Sequence, residues 1–252
     1  MNPHKVKTPY VVIFSDVHIG AVEHTPELLA ENVEWCREHN ATVILNGDIV
    51  ENAILAGDDA AGDKLLGQAF SPTDQLKKAL EVFAPIKSQI IASTRGNHEA
   101  RTRRKSLLDI SELISFILEV PYLGIGGMIP IEYRGRVWIF TVHHGKSGGS
   151  NPWGECEKLL GVYPQSDLIA LGHNHHLSTT TKGFLHLDQS GKEVRGERVF
   201  LRTGSYLGFA DYVREMGLSP ERQGSPLIIL PDNPKGRLEV DLFTLSEDAP
   251  VL

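Results

Sequence analysis

The stretch that decides the fold begins at residue 10 and reads YVVIFSDVH through residue 18. Five apolar residues stop abruptly at a polar turn that contains Asp16 and His18. A short apolar run bounded by polar residues is typical of a buried strand. We therefore predict a strand at Tyr10–Phe14, followed by a turn with two side chains that are common metal ligands.

The same kind of ending occurs at four more places, where an apolar run stops at carboxylate, amide or imidazole side chains. These turns read NGD at residues 46–48, GNHE at 96–99, HHG at 143–145 and GHNHH at 172–176. Seven of the 11 histidines fall in the five turns. In open α/β sheets, ligands bind outside the carboxyl ends of the strands, so these endings predict one shared site. Carboxylate oxygens mixed with imidazole nitrogens favour Mn, Fe, Zn or a similar divalent ion over Ca²⁺.

Amphipathic stretches separate the turns, and together they predict an α/β fold. Thr25 is a good N-cap residue before Pro26, and apolar residues then recur at helical spacing until Asn40. Similar spacing predicts helices at residues 74–84 and 106–119. Further strands are predicted at residues 42–45, 89–93, 136–142, 167–171, 199–202, 227–230 and 238–243. Residues 53–72 and 146–165 follow no regular period and are expected to form lid or interface loops.

The composition excludes several classes of protein. The chain has 252 residues, of which 41% are hydrophobic and 23% charged, and this rules out a disordered or collagen-like protein. A net charge of −7 disfavours a protein that coats nucleic acid or an anionic membrane. Two cysteines cannot build a disulfide framework, and we see neither a signal peptide nor a membrane-spanning stretch. We expect one domain over residues 1–252, a cytoplasmic location and no membrane partner.

Taken in order, the five turns resemble the motifs of the calcineurin-like metallophosphoesterases. The matching residues are Asp16-x-His18, Gly47-Asp48, Gly96-Asn97-His98-Glu99, His143 before a Gly-rich turn, and Gly172-His173-x-His175. Thr203-Gly204-Ser205 resembles the turn that closes the last motif-bearing strand of the family. The resemblance implies a four-layer αββα sandwich with a dinuclear metal centre at the strand ends. In that fold, residues 206–252 would add the last strands to the motif-bearing core.

The resemblance also implies roles for individual residues. The implied metal ligands are Asp16, His18 and His175 for one ion, Asn97, His143 and His173 for the other, and Asp48 as the bridge between them. His98 would be the general acid or electrostatic stabiliser of the leaving oxygen, and Arg101 would bind the phosphoryl group. The implied cofactors are two divalent metal ions, with Mn favoured and Fe, Zn, Co or Ni as alternatives. They would activate a water for attack at phosphorus.

Two of these assignments stay open. His143 and His144 are adjacent, and a strand sends successive side chains to opposite faces, so only one of them is expected to be a ligand. Extending the preceding apolar run favours His143. The residue that orients His98 is either Glu51, which stands where some relatives have an aspartate, or Asn52.

The predicted activity is metal-dependent hydrolysis of a phosphomonoester or phosphodiester. A small DNA or RNA nuclease of the same family is the alternative, so nucleic acid or a nucleotide remains a candidate substrate. Roughly 45 residues follow Ser205, too few for a separate capping domain like that of the double-strand-break nucleases. A catalytically silent interaction module is disfavoured because the full ligand set is present.

Overall fold

The apolar run at Tyr10–Phe14 forms strand β2 in the computed structural model, which describes residues 2–54, 68–145, 153–187, 190–208 and 222–242. All five residues of β2 are buried. Val11 and Ile13 enter one apolar core, whereas Val12 and Phe14 enter another. A strand that is covered on both faces needs an apolar side chain at every position, and this explains the uninterrupted run.

In the described residues, the strands form two sheets. The first sheet contains, in spatial order, β1 (His4–Lys5), β5 (Gly126–Tyr133), β6 (Arg136–His143), β7 (Leu168–Leu171), β9 (Glu193–Thr203) and β8 (Leu177–Leu187). The second contains β11 (Glu239–Asp241), β10 (Leu227–Ile229), β2, β3 (Thr42–Asn46) and β4 (Ile90–Thr94). Strands β2, β3 and β4 are parallel, and so are β6, β7 and β9. The carboxyl ends of each parallel set therefore lie on one edge of its sheet.

The described helices are α1 (Pro26–His39), α2 (Pro72–Phe83), α3 (Glu99–Ser106), α4 (Ile110–Leu118) and α5 (Gly154–Val162), with a 3-10 helix at Ala84–Gln89 after α2. Local sequence sets their ends. Ser71 and Asp109 accept hydrogen bonds from the first turns of α2 and α4, and Asn40 ends α1 in a left-handed conformation. No helix in these ranges is both long and apolar enough to cross a membrane.

Three apolar cores separate four layers. One core lies between the second sheet and the helices α1, α2 and α4, with Phe83 and Ile114 among its buried residues. Another fills the space between the sheets and includes Ile44 of the second sheet and Phe140 of the first. A smaller core packs Cys156 of α5 against the outer face of the first sheet. The order is therefore helices, sheet, sheet, helix, which confirms the predicted αββα sandwich.

The structure corrects several predicted boundaries. The helix predicted at residues 106–119 begins later, as α4 at Ile110, because the chain breaks at Leu107, whose φ is 62°. Helix α3, which ends at Ser106, was not predicted. Of the two predicted loops, residues 55–67 and 146–152 lie outside the described ranges, while α5 occupies much of the second. Strands β1, β5 and β8 were not predicted.

Candidate metal centre

Hydrogen bonds between the five polar turns bring them together at one place. The backbone N–H of His173, after β7, donates to both oxygens of Asp16, after β2, at 3.0 and 2.9 Å. The backbone N–H of His98, after β4, donates to Oδ1 of Asp48, after β3, at 2.8 Å. The two sheets therefore contribute to a single site, as their strand directions require.

Backbone strain is concentrated at this site. Ten non-glycine residues in the described ranges have positive φ, and five of them are Asp16, His18, Asp48, His173 and His175. Their φ angles lie between 48° and 72°, in the left-handed region that costs free energy for side chains with a Cβ. Strain of this kind persists only where the surrounding structure enforces it, and it is typical of functional sites.

Two glycines allow the turns to approach one another. A Cβ atom added to Gly96 would lie 2.0 Å from Oδ1 of Asp48. A Cβ atom added to Gly172 would lie 2.4 Å from Oγ of Ser15 and 2.7 Å from Oδ2 of Asp16. Both distances are far shorter than van der Waals contact, so a side chain at either position would displace a carboxylate of the site.

Asp16, His18 and His175 form the first donor group. The Nε2 atoms of His18 and His175 lie 3.3 Å apart, and Nε2 of His175 is 3.4 Å from Oδ1 of Asp16. Burial lowers the pKa of His18, which favours a neutral ring. Its Nδ1 donates to Oε2 of Glu51 at 2.8 Å, so the lone pair of the neutral ring is on Nε2, towards the group.

Asp48, Asn97, His144 and His173 form the second donor group. Nε2 of His144 lies 3.0 Å from both Oδ2 of Asp48 and Oδ1 of Asn97. Nδ1 of His173 lies 2.7 Å from the same Asn97 oxygen. Nδ1 of His144 donates to the backbone oxygen of Asn46 at 2.9 Å, which directs Nε2 to the group.

The structure places His144 in this group, and not His143 as the sequence favoured. In β6, the side chains that enter the core between the sheets belong to Trp138, Phe140 and Val142. His144 continues this alternation beyond the end of the strand and therefore points between the sheets, while His143 takes the opposite face. The alternation of the largest apolar residues along 138–142 is the sequence signal that would have identified His144.

The two donor groups fit a pair of divalent cations. Their nitrogen and carboxylate atoms lie within 4.8 Å of one another in each group, and Oδ2 of Asp48 is also 3.9 Å from Nε2 of His18, between the groups. Burial alone would lower the pKa of His144, but the Asp48 and Asp16 carboxylates raise it to about 10. The two buried carboxylates therefore attract positive charge, which a proton on His144 supplies in the metal-free protein. A bound metal cation would supply the same positive charge.

Glu51 connects the first donor group to His98. Its Oε2 accepts from Nδ1 of His18 and lies 3.1 Å from Nδ1 of His98, which also donates to the backbone oxygen of Glu51 at 2.9 Å. Arg101 donates from Nη1 to that backbone oxygen at 3.0 Å and from Nη2 to Nε2 of His98 at 3.0 Å. Asn52, in contrast, donates to the backbone oxygen of His98 at 2.8 Å. Of the two candidates, Glu51 therefore contacts the ring of His98 and Asn52 its backbone.

No role was predicted for Glu99, yet its carboxylate accepts hydrogen bonds from two of the turns. It is fully buried and accepts backbone N–H groups from Asp48, Ile49, Val50 and Gly96 at 2.7 to 3.2 Å. A carboxylate at the end of the GNHE turn, shortly after the apolar strand β4, is the signal that could have identified it. Burial and the neighbouring Asp48 raise the pKa of Glu99 to about 7.

A family model and several solved structures are similar to this chain. Residues 9–177 match the family model described as calcineurin-like phosphoesterase. Vps29 of Entamoeba histolytica, as a single mutant, is 14% identical over 92% of this chain and 97% of its own, with a TM-score of 0.47. Vps29 of Cryptosporidium parvum is 15% identical over 93% and 96%, with a TM-score of 0.43.

An uncharacterized protein of Streptococcus pneumoniae, described as a predicted phosphoesterase, is 12% identical over 88% of this chain and 82% of its own, with a TM-score of 0.40. No curated protein matches the chain.

Proposed function

The chain belongs to the calcineurin-like phosphoesterase family, and from this premise we propose that it hydrolyses phosphoesters at a centre of two divalent metal ions. The observation that supports this proposal most is the pair of donor groups with Asp48 between them and His98 beside them. When bound, such ions would supply a nucleophilic water at neutral pH and would neutralise charge on the phosphoryl group.

We assign the ligands from the two donor groups. Asp16, His18 and His175 would hold one ion; Asn97, His144 and His173 would hold the other, and Asp48 would bridge them. His144 takes the place that the sequence favoured for His143. The mixture of carboxylate, amide and imidazole donors suits Mn first, with Fe, Zn, Co and Ni as alternatives.

His98 is the proposed general acid for the leaving oxygen. Its ring is held by Glu51 through Nδ1, and its Nε2 lies 3.9 Å from Oδ2 of Asp48, so this nitrogen is next to the centre. Burial disfavours a charged ring, but Asp48 and Glu51 raise the pKa of His98 above its ordinary value. A raised pKa favours the protonated ring that a general acid requires.

Arg101 is the proposed contact to the phosphoryl group. Its guanidinium spans Nε2 of His98 and the backbone oxygen of Glu51. A phosphoryl oxygen would compete for these donors, since arginine binds phosphate in a bidentate manner. Nε2 of His98 accepts from Nη2 in this arrangement and so carries no proton there. Once Nη2 contacts the substrate instead, Nε2 would take up a proton from solvent and donate it to the leaving oxygen.

We also propose that residues 1–252 form one domain, with residues 206–252 completing the sandwich. Strands β10 and β11 support this, because β10 pairs with β2 at Leu227 and Val12, in the same sheet as three of the motif-bearing strands.

A substrate profile tests the proposed activity. The metal-free chain is supplied with Mn and assayed on a chromogenic phosphomonoester, a chromogenic phosphodiester and linear single-stranded DNA. We expect Mn-dependent hydrolysis of at least one small ester. Turnover of the monoester alone would exclude the diesterase and the nuclease, whereas turnover of DNA alone would favour the nuclease. A chain that binds the ions but hydrolyses none of the three would favour an interaction module.

A further inference from the structure

A cavity of about 440 Å³ lies beside the second donor group. Asn97, His144 and His173 form its inner wall, and Arg95, Arg104 and His143 contribute to its outer wall. None of the described residues that line it is an Asp or a Glu. The described lining therefore carries two arginines and no carboxylate of its own, in a chain of net charge −7.

Arg104 has an uncompensated charge on the outer wall. It lies one helical turn after Ala100 on α3, and both residues line the cavity. Arg95 and Arg103 each lie near a carboxylate oxygen of Asp109, at 2.9 and 3.5 Å. Arg104 is exposed and forms no ion pair or hydrogen bond with any residue in the described ranges. A guanidinium of this kind is available to an anion in the cavity.

His143 also lines this cavity. Its Nδ1 accepts the backbone N–H of Gly145 at 3.2 Å, so the proton of the neutral ring is on Nε2. The side chain that the sequence favoured as a metal ligand therefore lies beside the centre and lines the outer wall of the cavity.

From these observations we propose that the cavity binds a second anionic group of the substrate, which is a small organic phosphoester carrying an additional phosphate. This inference rests on the proposed function: one phosphate would lie at the metal centre and the other at Arg104. The volume of the cavity is in the range of small-molecule sites. Among the described residues that line the cavity, Arg104 is the one arginine without an ion pair. This is fewer cations than a polynucleotide backbone requires, which favours a small substrate over a nucleic acid strand.

Binding of phosphonates tests the inference, because their carbon–phosphorus bonds resist ester hydrolysis. We would compare propylphosphonate with straight-chain bisphosphonates of three to six carbons by calorimetry on the Mn-loaded chain. The expected result is that the best bisphosphonate binds roughly tenfold or more tightly than propylphosphonate, the scale of an added charge-assisted contact. Arg104→Ala should remove this advantage. Arg103→Ala, the matched control on the same helix, should retain it.

Three results would overturn the inference. The first is equal affinity of wild type for the mono- and bisphosphonates at every length. The second is an equal loss of bisphosphonate affinity in Arg103→Ala and Arg104→Ala. This would indicate that the positive charge of the helix acts at long range, without a specific contact from Arg104. The third is that Arg104→Ala loses affinity for a single-stranded oligonucleotide but keeps its affinity for the bisphosphonate. A preference for bisphosphonate in a chain that hydrolyses no ester would instead contradict the proposed function and leave the anion site standing.

Discussion

Replacing His144 with asparagine tests the arrangement of the second donor group. The ring of His144 is buried, with Nε2 at 3.0 Å from both Asp48 and Asn97. Asparagine is shorter and cannot place a nitrogen at the position of Nε2. The adjacent His143 supplies a matched control, because His143→Asn makes the same chemical change at a side chain that lies outside the two donor groups.

The pKa of His144 gives the expected loss of unfolding free energy in the metal-free chain. It is about 10 in the folded protein and about 6.5 in an unfolded chain. Because the folded pKa is the higher one, the stabilisation is complete below about pH 6.5 and disappears as the pH rises through about 10. At pH 7.5 the difference corresponds to a free energy of unfolding of about 3 kcal/mol. His144→Asn should lose about this much at pH 7.5 and much less at pH 10.

Two measurements check this prediction. Denaturant unfolding of the metal-free variants at pH 7.5 and pH 10 should show the pH-dependent loss for His144→Asn only. Elemental analysis after reconstitution with Mn should show that His144→Asn retains fewer than two ions, whereas His143→Asn retains two. The reasoning is refuted if His143→Asn loses metal and His144→Asn does not, or if both variants unfold like the wild type at pH 7.5.

Three further predictions concern the neighbours of the centre. His98→Ala should keep its metal content while kcat falls by about 10²-fold or more, and metal loss in this variant would make His98 a ligand or its support. Glu51→Ala should weaken metal binding by about 10- to 100-fold and should also lower kcat at saturating Mn, since Glu51 contacts both His18 and His98. A lower kcat with unchanged metal affinity would contradict this shared role. Gly172→Ala should abolish metal binding, measured by calorimetry, because its Cβ would meet Asp16; an unchanged affinity would show that the turn has room to adjust.

Much of the fold could be predicted because its central strands are buried on both faces. Strands β2 and β3 are buried at every position and largely apolar, and the polar turns after them are sharply defined. Strand β8 (Leu177–Leu187) lies at an edge of its sheet and is largely exposed, so its sequence carries no strong apolar pattern. Helix α5 buries only Cys156, and this is too little periodicity to reveal a helix.

The residues of the candidate site could be found from the sequence, but their orientation could not. His143 and His144 are both plausible ligands by residue type, and the choice depends on which face of β6 meets the other sheet. Glu99 contacts Ile49, which is 50 residues away in the chain, so its role depends on how β3 and β4 lie side by side. Such contacts follow from the tertiary fold and not from local sequence.

A titration of the metal-free chain with Mn tests the central claim most directly. Hydrolysis of the best small phosphoester from the substrate profile would be measured at each step, together with the bound metal. We predict that activity rises until two ions are bound per chain and then stays constant, and that Asp48→Asn, which alters the bridge between the donor groups, never reaches this plateau. Full activity with one bound ion, or no activity with two, would contradict a two-metal phosphoesterase.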